Sequence, residues 1–235
     1  MDGLLRDLME AERLRLSFRP ESLSDVIYAW NLQDFLKYAD GDCPTEYCVG
    51  VSELIYCSNK YWLRRKYPEL VIGENLYAAW SSFGRLIHSG VQQLLKDLGF
   101  VVEKEVSRVM DVNGLKVTVK GRLDGIGYWK DKLTVVEIKS SRSDNELPRE
   151  QHILQLRIYM NLAGAKQGIL LYITPDRLTE YSFDTALSDH ELKILVEETI
   201  ENKKHPRYSW ECQYCQFNMM CPWKQTNNNK FYRKG

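Results

Sequence analysis

No apolar run in this chain approaches the roughly eighteen residues a membrane-spanning helix needs, which excludes a helical membrane protein. The first twenty residues carry Asp2, Arg6, Asp7, Glu10, Glu12, Arg13 and Arg15, which leaves no apolar core for a secretion signal. The expectation is therefore a cytoplasmic protein with no membrane partner. Net charge is also missing, because 32 Lys and Arg balance 32 Asp and Glu. Without a global basic field, any nucleic-acid site must be a local patch. There are no internal repeats, and Asn227-Asn228-Asn229 is the only low-complexity stretch. What is present is 235 residues, 44% hydrophobic and 27% charged, enough for one sizeable domain with a small accessory lobe.

The first twenty residues place Leu4, Leu5, Leu8 and Met9 at helical spacing, and Pro20 ends that pattern. Ile27, Trp30, Leu32, Phe35 and Leu36 give a second one, and Gly41-Asp42-Cys43-Pro44 breaks it. Ser52 is placed to cap a helix running to about Tyr67, ahead of Pro68. On it Lys60, Arg64, Arg65 and Lys66 alternate with Tyr56, Tyr61, Trp62 and Tyr67. Cations among aromatics suit single-stranded nucleic acid; the alternative is a solvated helix whose aromatics pack inward. Residues 78–98 form the strongest helix, with Trp80, Phe83, Ile87, Val91, Leu94 and Leu98 as an apolar stripe. His88 sits beside it, one turn past Gly84. A mid-helix glycine costs about 1 kcal/mol against alanine, so a close approach of another backbone is expected there.

From Phe100 the period changes to two. Phe100–Met110 and Leu115–Tyr128 read as strands joined at Asn113-Gly114, and Leu133–Ser140 follows a turn at Lys130-Asp131. If that turn has two residues, Trp129 faces Lys132, and counting back sets Asp124 opposite Glu137. Such facing residues have Cβ atoms about 4.5–5.5 Å apart, and two carboxylates that close repel unless a cation lies between them. Lys139 projects from the same face as Glu137. A carboxylate pair with an adjacent lysine is the layout of a metal-dependent phosphodiesterase, and a surface charge pair is the alternative. Beyond it come a helix over about Pro148–Leu162 with Gln155 and Tyr159 on one face, strands at Ile169–Ile173 and Arg177–Phe183, and a helix capped by Ser188.

Without a secretion signal a disulfide framework is not expected, and the C-x2-C pair points to metal or redox chemistry. Cys212, Cys215 and Cys221 lie within ten residues of a tail that has no apolar pattern of its own. Metal binding would supply the energy to fold such a tail. A fourth ligand must come from upstream: Cys57 on the basic helix is preferred, and Cys43 or Cys48 is the runner-up. The spacing does not decide between zinc and iron–sulfur.

His88, Gly121-Arg122-Leu123-Asp124-Gly125, Glu137-Ile138-Lys139, Gln155-x3-Tyr159 and the split cysteines together resemble one family. They look like the CRISPR-associated RecB-like exonucleases, the fourth Cas family, within the PD-(D/E)XK nuclease superfamily. The resemblance implies an α/β fold: a mixed central sheet flanked by helices, with an iron–sulfur lobe joining an N-terminal helical region to the tail. The parts would be 1–75, a nuclease core over 76–204 and a cysteine-rich tail over 205–235, in one compact unit. It implies that Asp124, Glu137 and the Ile138 carbonyl bind Mn2+ or Mg2+, with His88 a ligand favouring manganese. Lys139 would position and activate water, and Gln155 and Tyr159 would orient that lysine and the DNA. Cys57, Cys212, Cys215 and Cys221 would carry an iron–sulfur cluster, usually [4Fe–4S], with [2Fe–2S] the alternative. Lys60, Tyr61, Arg64 and Arg65 would guide DNA. The implied activity is 5′→3′ exonuclease action on single strands, trimming DNA ends for integrase proteins during CRISPR spacer acquisition. The competing readings are a repair or recombination nuclease outside CRISPR and a DNA-end-binding module with weak catalysis.

Overall fold

The computed structural model describes residues 22–30, 43–68, 70–71 and 79–225. The expected helix over the first twenty residues lies outside these. Of the second pattern, 23–30 is helical and the rest lies outside them.

One six-stranded sheet carries the site. Strands β2 (Val101–Val112) and β3 (Leu115–Trp129) form a long antiparallel ribbon. Their turn, Asn113-Gly114, has both φ angles positive, at 54° and 83°. The Lys130-Asp131 turn into β4 (Lys132–Ser140) does the same at 48° and 62°. Two positive φ values make the turn twist in step with the strands it joins, which is why two residues suffice. As expected from the sequence, Trp129 faces Lys132, and the register continues to Gly125 opposite Val136. Strand β5 (Gln167–Ile173) runs parallel to β4, and β6 (Leu178–Phe183) closes that side antiparallel to β5.

A short strand the sequence reading did not anticipate, β1 (Tyr47–Gly50), pairs parallel to β3 at Val117–Lys120. The same edge of β3 thus serves β1 over its first half and β4 over its second. Residues 121–124 fall in the fork between them, and Asp124 is the last residue before β4 begins to pair.

The single helix expected over 52–67 is two, α1 (Val51–Leu54) and α2 (Ser58–Lys66). Gly50 rather than Ser52 stands at the first N-terminus, where its N–H donates to Glu53 Oε2 at 2.9 Å, and Cys57 occupies the break. Helix α3 (Ala79–Asp97) precedes β2; α4 (Glu150–Ala163) makes the crossover from β4 to β5; α5 (Asp189–Ile200) follows β6. Ser188 caps α5 as expected, accepting the Glu191 N–H at 3.2 Å. The core joins Val49, Val51 and Leu54 to Leu123, Leu156, Tyr172 and Leu192, so β1 and α1 pack into the same interior as the sheet.

Helix α3 corrects an expectation. Of its stripe, Trp80, Phe83, Leu94 and Leu98 are exposed, Ile87 is half-buried and Val91 packs against the core, while Ser82, Gln92 and Leu95 are buried. Periodicity located the helix but not the face that packs on the sheet. Residues 205–225 are mostly turns around one 3-10 segment, Glu211–Tyr214. Among the described residues, no helix is long and apolar enough to cross a membrane.

Candidate active site

The fork in the sheet frees the Asp124 side chain to reach across to β4. Its Oδ2 accepts the Ile138 N–H at 2.7 Å, replacing a ladder bond with a side-chain bond. Its Oδ1 lies 3.4 Å from His88 Nδ1 on α3. One turn further along α3, Gln92 donates to Glu103 on β2 and to the Asp124 carbonyl at 3.5 Å. Arg122 Nε holds the other Glu103 oxygen at 2.8 Å. Sequence reasoning missed Gln92, although its spacing of four from His88 puts the two on one face.

Glu137 is 3% exposed, and its Oε1 accepts the Lys139 ammonium at 2.6 Å. Lys139 Nζ also donates to Gln155 Oε1 on α4 at 2.9 Å. Burial, reinforced by Asp124, pushes the Glu137 carboxyl up to about 7 against the pull of Lys139. Burial works against the Lys139 ammonium, but Glu137 and Asp124 outweigh it and its pKa is raised. The other Glu137 oxygen, Oε2, is buried without a hydrogen-bond partner. An orphaned carboxylate oxygen beside a second carboxylate is an unfavourable arrangement unless it takes up a proton or a cation is drawn to it. That atom is the observation bearing on a divalent metal here. As the side chains stand, no three His, Cys, Asp or Glu residues among those described are gathered into a metal-holding set. Lys139 takes up one of the Glu137 oxygens.

Asp124, Glu137, Ile138, Lys139, His88 and Gln155 thus converge on one end of the β3–β4 pair. Tyr159, also on α4, is buried over Gly121, where a Cβ would come within 2.5 Å of its ring. The basic helix also differs from expectation. Tyr61 is buried in the core at 1% exposure. Arg65 lies over its ring at 3.3 Å and bonds to Glu53 Oε1 at 3.0 Å and to the Cys48 carbonyl at 2.6 Å. A ring so buried is withdrawn from a DNA surface, whereas Arg65 stays exposed with its guanidinium committed to these partners. Lys60 and Arg64 remain partly exposed.

Cys57, Cys212, Cys215 and Cys221 line one cavity of about 370 Å³, with Lys60, Trp80, Trp210 and Trp223 among its walls. All four are free thiols. Burial raises Cys57 to about 11 and raises Cys215 as well, so both are held protonated until something draws off the proton. Cys43 and Cys48 pair as a disulfide, against the expectation of none, and this removes both runner-up ligands. Cys57 is joined to the tail independently of its sulfur. Its N–H donates to Glu211 Oε1 at 2.9 Å, and Glu211 Oε2 accepts the N–H groups of Arg207 and Tyr208 at 2.8 and 3.0 Å. Asn59 Nδ2 donates to Cys221 Sγ at 3.3 Å. No motif marks Glu211 as a clasp, and only its position beside Cys212 could have hinted at it.

A mixed sheet that forks at an aspartate, with a Glu-x-Lys strand beside it and a glutamine from the crossover helix, defines a class: the PD-(D/E)XK nucleases. The family model of the PD-(D/E)XK nuclease superfamily matches residues 98–222. The CRISPR-associated exonuclease Cas4 of Saccharolobus solfataricus is 39% identical over 184 residues, spanning 77% of this chain and 90% of that protein. The crystal structure of SSO0001 superposes with a TM-score of 0.80 at 35% identity, covering 87% of this chain and 98% of that one. The chain belongs to the CRISPR-associated Cas4 exonuclease family of the PD-(D/E)XK nuclease superfamily, and it is a nuclease.

Proposed function

We propose that this nuclease hydrolyses DNA from free single-stranded ends, 5′→3′, with Mn2+ or Mg2+, and that it processes ends for integrase proteins in CRISPR spacer acquisition. The observation that carries the hydrolytic part is the Lys139 ammonium suspended between Glu137 Oε1 and Gln155 Oε1, beside the orphaned Glu137 Oε2. The family relationship supports the exonuclease and CRISPR parts.

Asp124 and Glu137, with the Ile138 carbonyl and His88, are the residues that would hold the cation. Bound there, a divalent cation neutralises phosphate charge and lowers the pKa of a bound water. The remaining work falls to the chain's own groups. Glu137 and Gln155 fix Lys139 Nζ from two sides, so its charge is already in place when negative charge develops on the phosphate. His88 steadies Asp124 Oδ1, while the Ile138 N–H holds Oδ2. Gln155 offers Lys139 a neutral acceptor, which keeps the ammonium oriented without adding a third carboxylate.

Cys57, Cys212, Cys215 and Cys221 would hold an iron–sulfur cluster, [4Fe–4S] by family precedent, as a structural clamp without redox work. Their convergence on one cavity supports this reading. The nuclease assignment is tested by Mn2+-dependent cleavage with Asp124→Ala, Glu137→Ala and Lys139→Ala, each expected to abolish cleavage and spare binding. Iron and sulfide content after anaerobic purification tests the cluster. Fewer than two irons per chain would remove it from the account.

A further inference from the structure

Helix α3 presents Trp80, Gly84 and His88 at intervals of four, so the three share one face. Each meets something beyond the Glu137-Ile138-Lys139 strand. His88 meets Asp124 at 3.4 Å. Gly84 leaves room for Ser140, whose Oγ would lie 3.1 Å from a Cβ there. Trp80 meets Arg142, whose guanidinium carbon lies 5.6 Å from the ring centroid. Eight residues of helix amount to about 12 Å, so this face forms a short track leading away from the carboxylates. That is the length of about three stacked nucleotides of one strand.

At the far end Trp80 is 59% exposed, a large and costly exposure for an indole. Arg142 is exposed too, and among the described residues its guanidinium meets the Trp80 ring and no carboxylate. Trp80 also forms part of the wall of the cysteine cavity, alongside Lys60. The pair therefore stands where the nuclease site and the cysteine lobe adjoin.

We infer that Trp80 and Arg142 form a post that grips one unpaired DNA strand beside the nuclease site, Trp80 stacking on a base and Arg142 holding a phosphate. This rests on the nuclease reading above and adds the residues that select the single strand. An exposed indole offers stacking to any base whose face is free, whatever its identity. A paired base within a duplex has no free face to offer. A guanidinium already parked against the ring is held ready for the phosphate that accompanies such a base. Charge complementarity and continuity with the carboxylate site both point to the strand being cut.

The test uses full-length protein carrying Lys139→Ala to stop cleavage, with fluorescence anisotropy on a 15-nucleotide oligo-dT and on a blunt duplex. Trp80→Ala is expected to weaken oligo-dT binding roughly tenfold and duplex binding less than twofold. Trp80→Phe should restore most of the loss. Arg142→Ala should weaken oligo-dT binding and lower the slope of log affinity against log salt by about 0.7. In the cleavage-competent chain, Trp80→Ala should raise KM for single strands more than it lowers kcat. Equal losses on single strand and duplex, or no loss on either, would overturn the post and leave the nuclease reading intact. A Lys139-intact chain that neither binds nor cuts DNA would instead sink the nuclease reading, and the post with it.

Discussion

The Asp124 carboxylate of β3 accepts the Ile138 N–H of β4 at 2.7 Å, just where the ladder between the two strands stops. A side chain proposed to hold the cation thereby also holds the sheet together. Its structural and chemical duties are separable by substitution. Asp124→Asn keeps an acceptor oxygen for Ile138 but loses the charge, whereas Asp124→Ala loses both. Asp124→Asn is expected to lower cleavage on the order of 100- to 1000-fold while shifting the melting temperature little. Asp124→Ala should lose cleavage to the same degree and melt several degrees lower. Calorimetry beside a cleavage assay checks the pair.

Gln155 holds Lys139 Nζ at 2.9 Å without touching either carboxylate within the described contacts. Gln155→Leu leaves Lys139 bonded to Glu137 alone. The expected result is a fall in kcat of roughly tenfold or more with little change in DNA affinity, since a mispositioned general-acid or electrostatic group acts in the transition state. Single-turnover cleavage separates that outcome from a binding defect.

Buried Glu137 and half-buried His152 make opposite contributions to the pH dependence of stability in the metal-free protein. Glu137 has its folded pKa raised to about 7 from 4.5, chiefly by burial. Its contribution is fully present below the unfolded pKa and is lost as pH rises from about 4.5 to 7. His152, bonded through Nδ1 to Tyr172 Oη at 2.8 Å, is depressed to about 3 from 6.5, again chiefly by burial. Its contribution is present above 6.5 and is lost as pH falls towards 3. Over the shared window, about pH 4.5–6.5, each slope is at most about 1.4 kcal/mol per pH unit and the signs oppose. Stability of the EDTA-treated protein should therefore be nearly flat there. Glu137→Gln should make it rise with pH, and His152→Gln should make it fall. Urea denaturation at four pH values reads both slopes.

The Glu211 carboxylate accepts three backbone N–H groups, from Cys57, Arg207 and Tyr208, and it is buried. Glu211→Ala leaves all three without that partner and should cost about 2–4 kcal/mol, while Glu211→Gln should cost less. Because these bonds do not involve sulfur, the loss should be the same whatever the cysteines hold. Denaturation of the chelator-treated protein measures it directly.

Much of this site is written locally in the sequence, and the parts that are not depend on distant partners. The turns at Asn113-Gly114 and Lys130-Asp131 follow from backbone preferences of two residues, so the β3–β4 register could be counted out as far as Gly125 opposite Val136; the ladder stops there, one step short of pairing Asp124 with Glu137. The Glu-x-Lys strand and the Gln155 helix carry their own periodicity. Strand β1 did not announce itself, because four residues gain their order only from a partner 70 residues away on β3. The α3 stripe was visible, but its direction was not: burial of Ser82, Gln92 and Leu95 is decided by the sheet beneath them. Tyr61 looked like part of a DNA surface because interleaved cations and rings are also what a cation–π pair built on a buried ring looks like in one dimension.

The central claim, that Asp124, Glu137 and Lys139 form a metal-dependent nuclease centre, is tested most directly by one cleavage measurement. Wild-type protein and the Asp124→Ala, Glu137→Ala, Lys139→Ala triple variant are compared on a 5′-labelled single-stranded oligonucleotide, with Mn2+ and with EDTA. The account predicts degradation from the labelled end by wild type in Mn2+ alone, and none by the triple variant although it still binds the strand. Cleavage by the triple variant at the wild-type rate would contradict it.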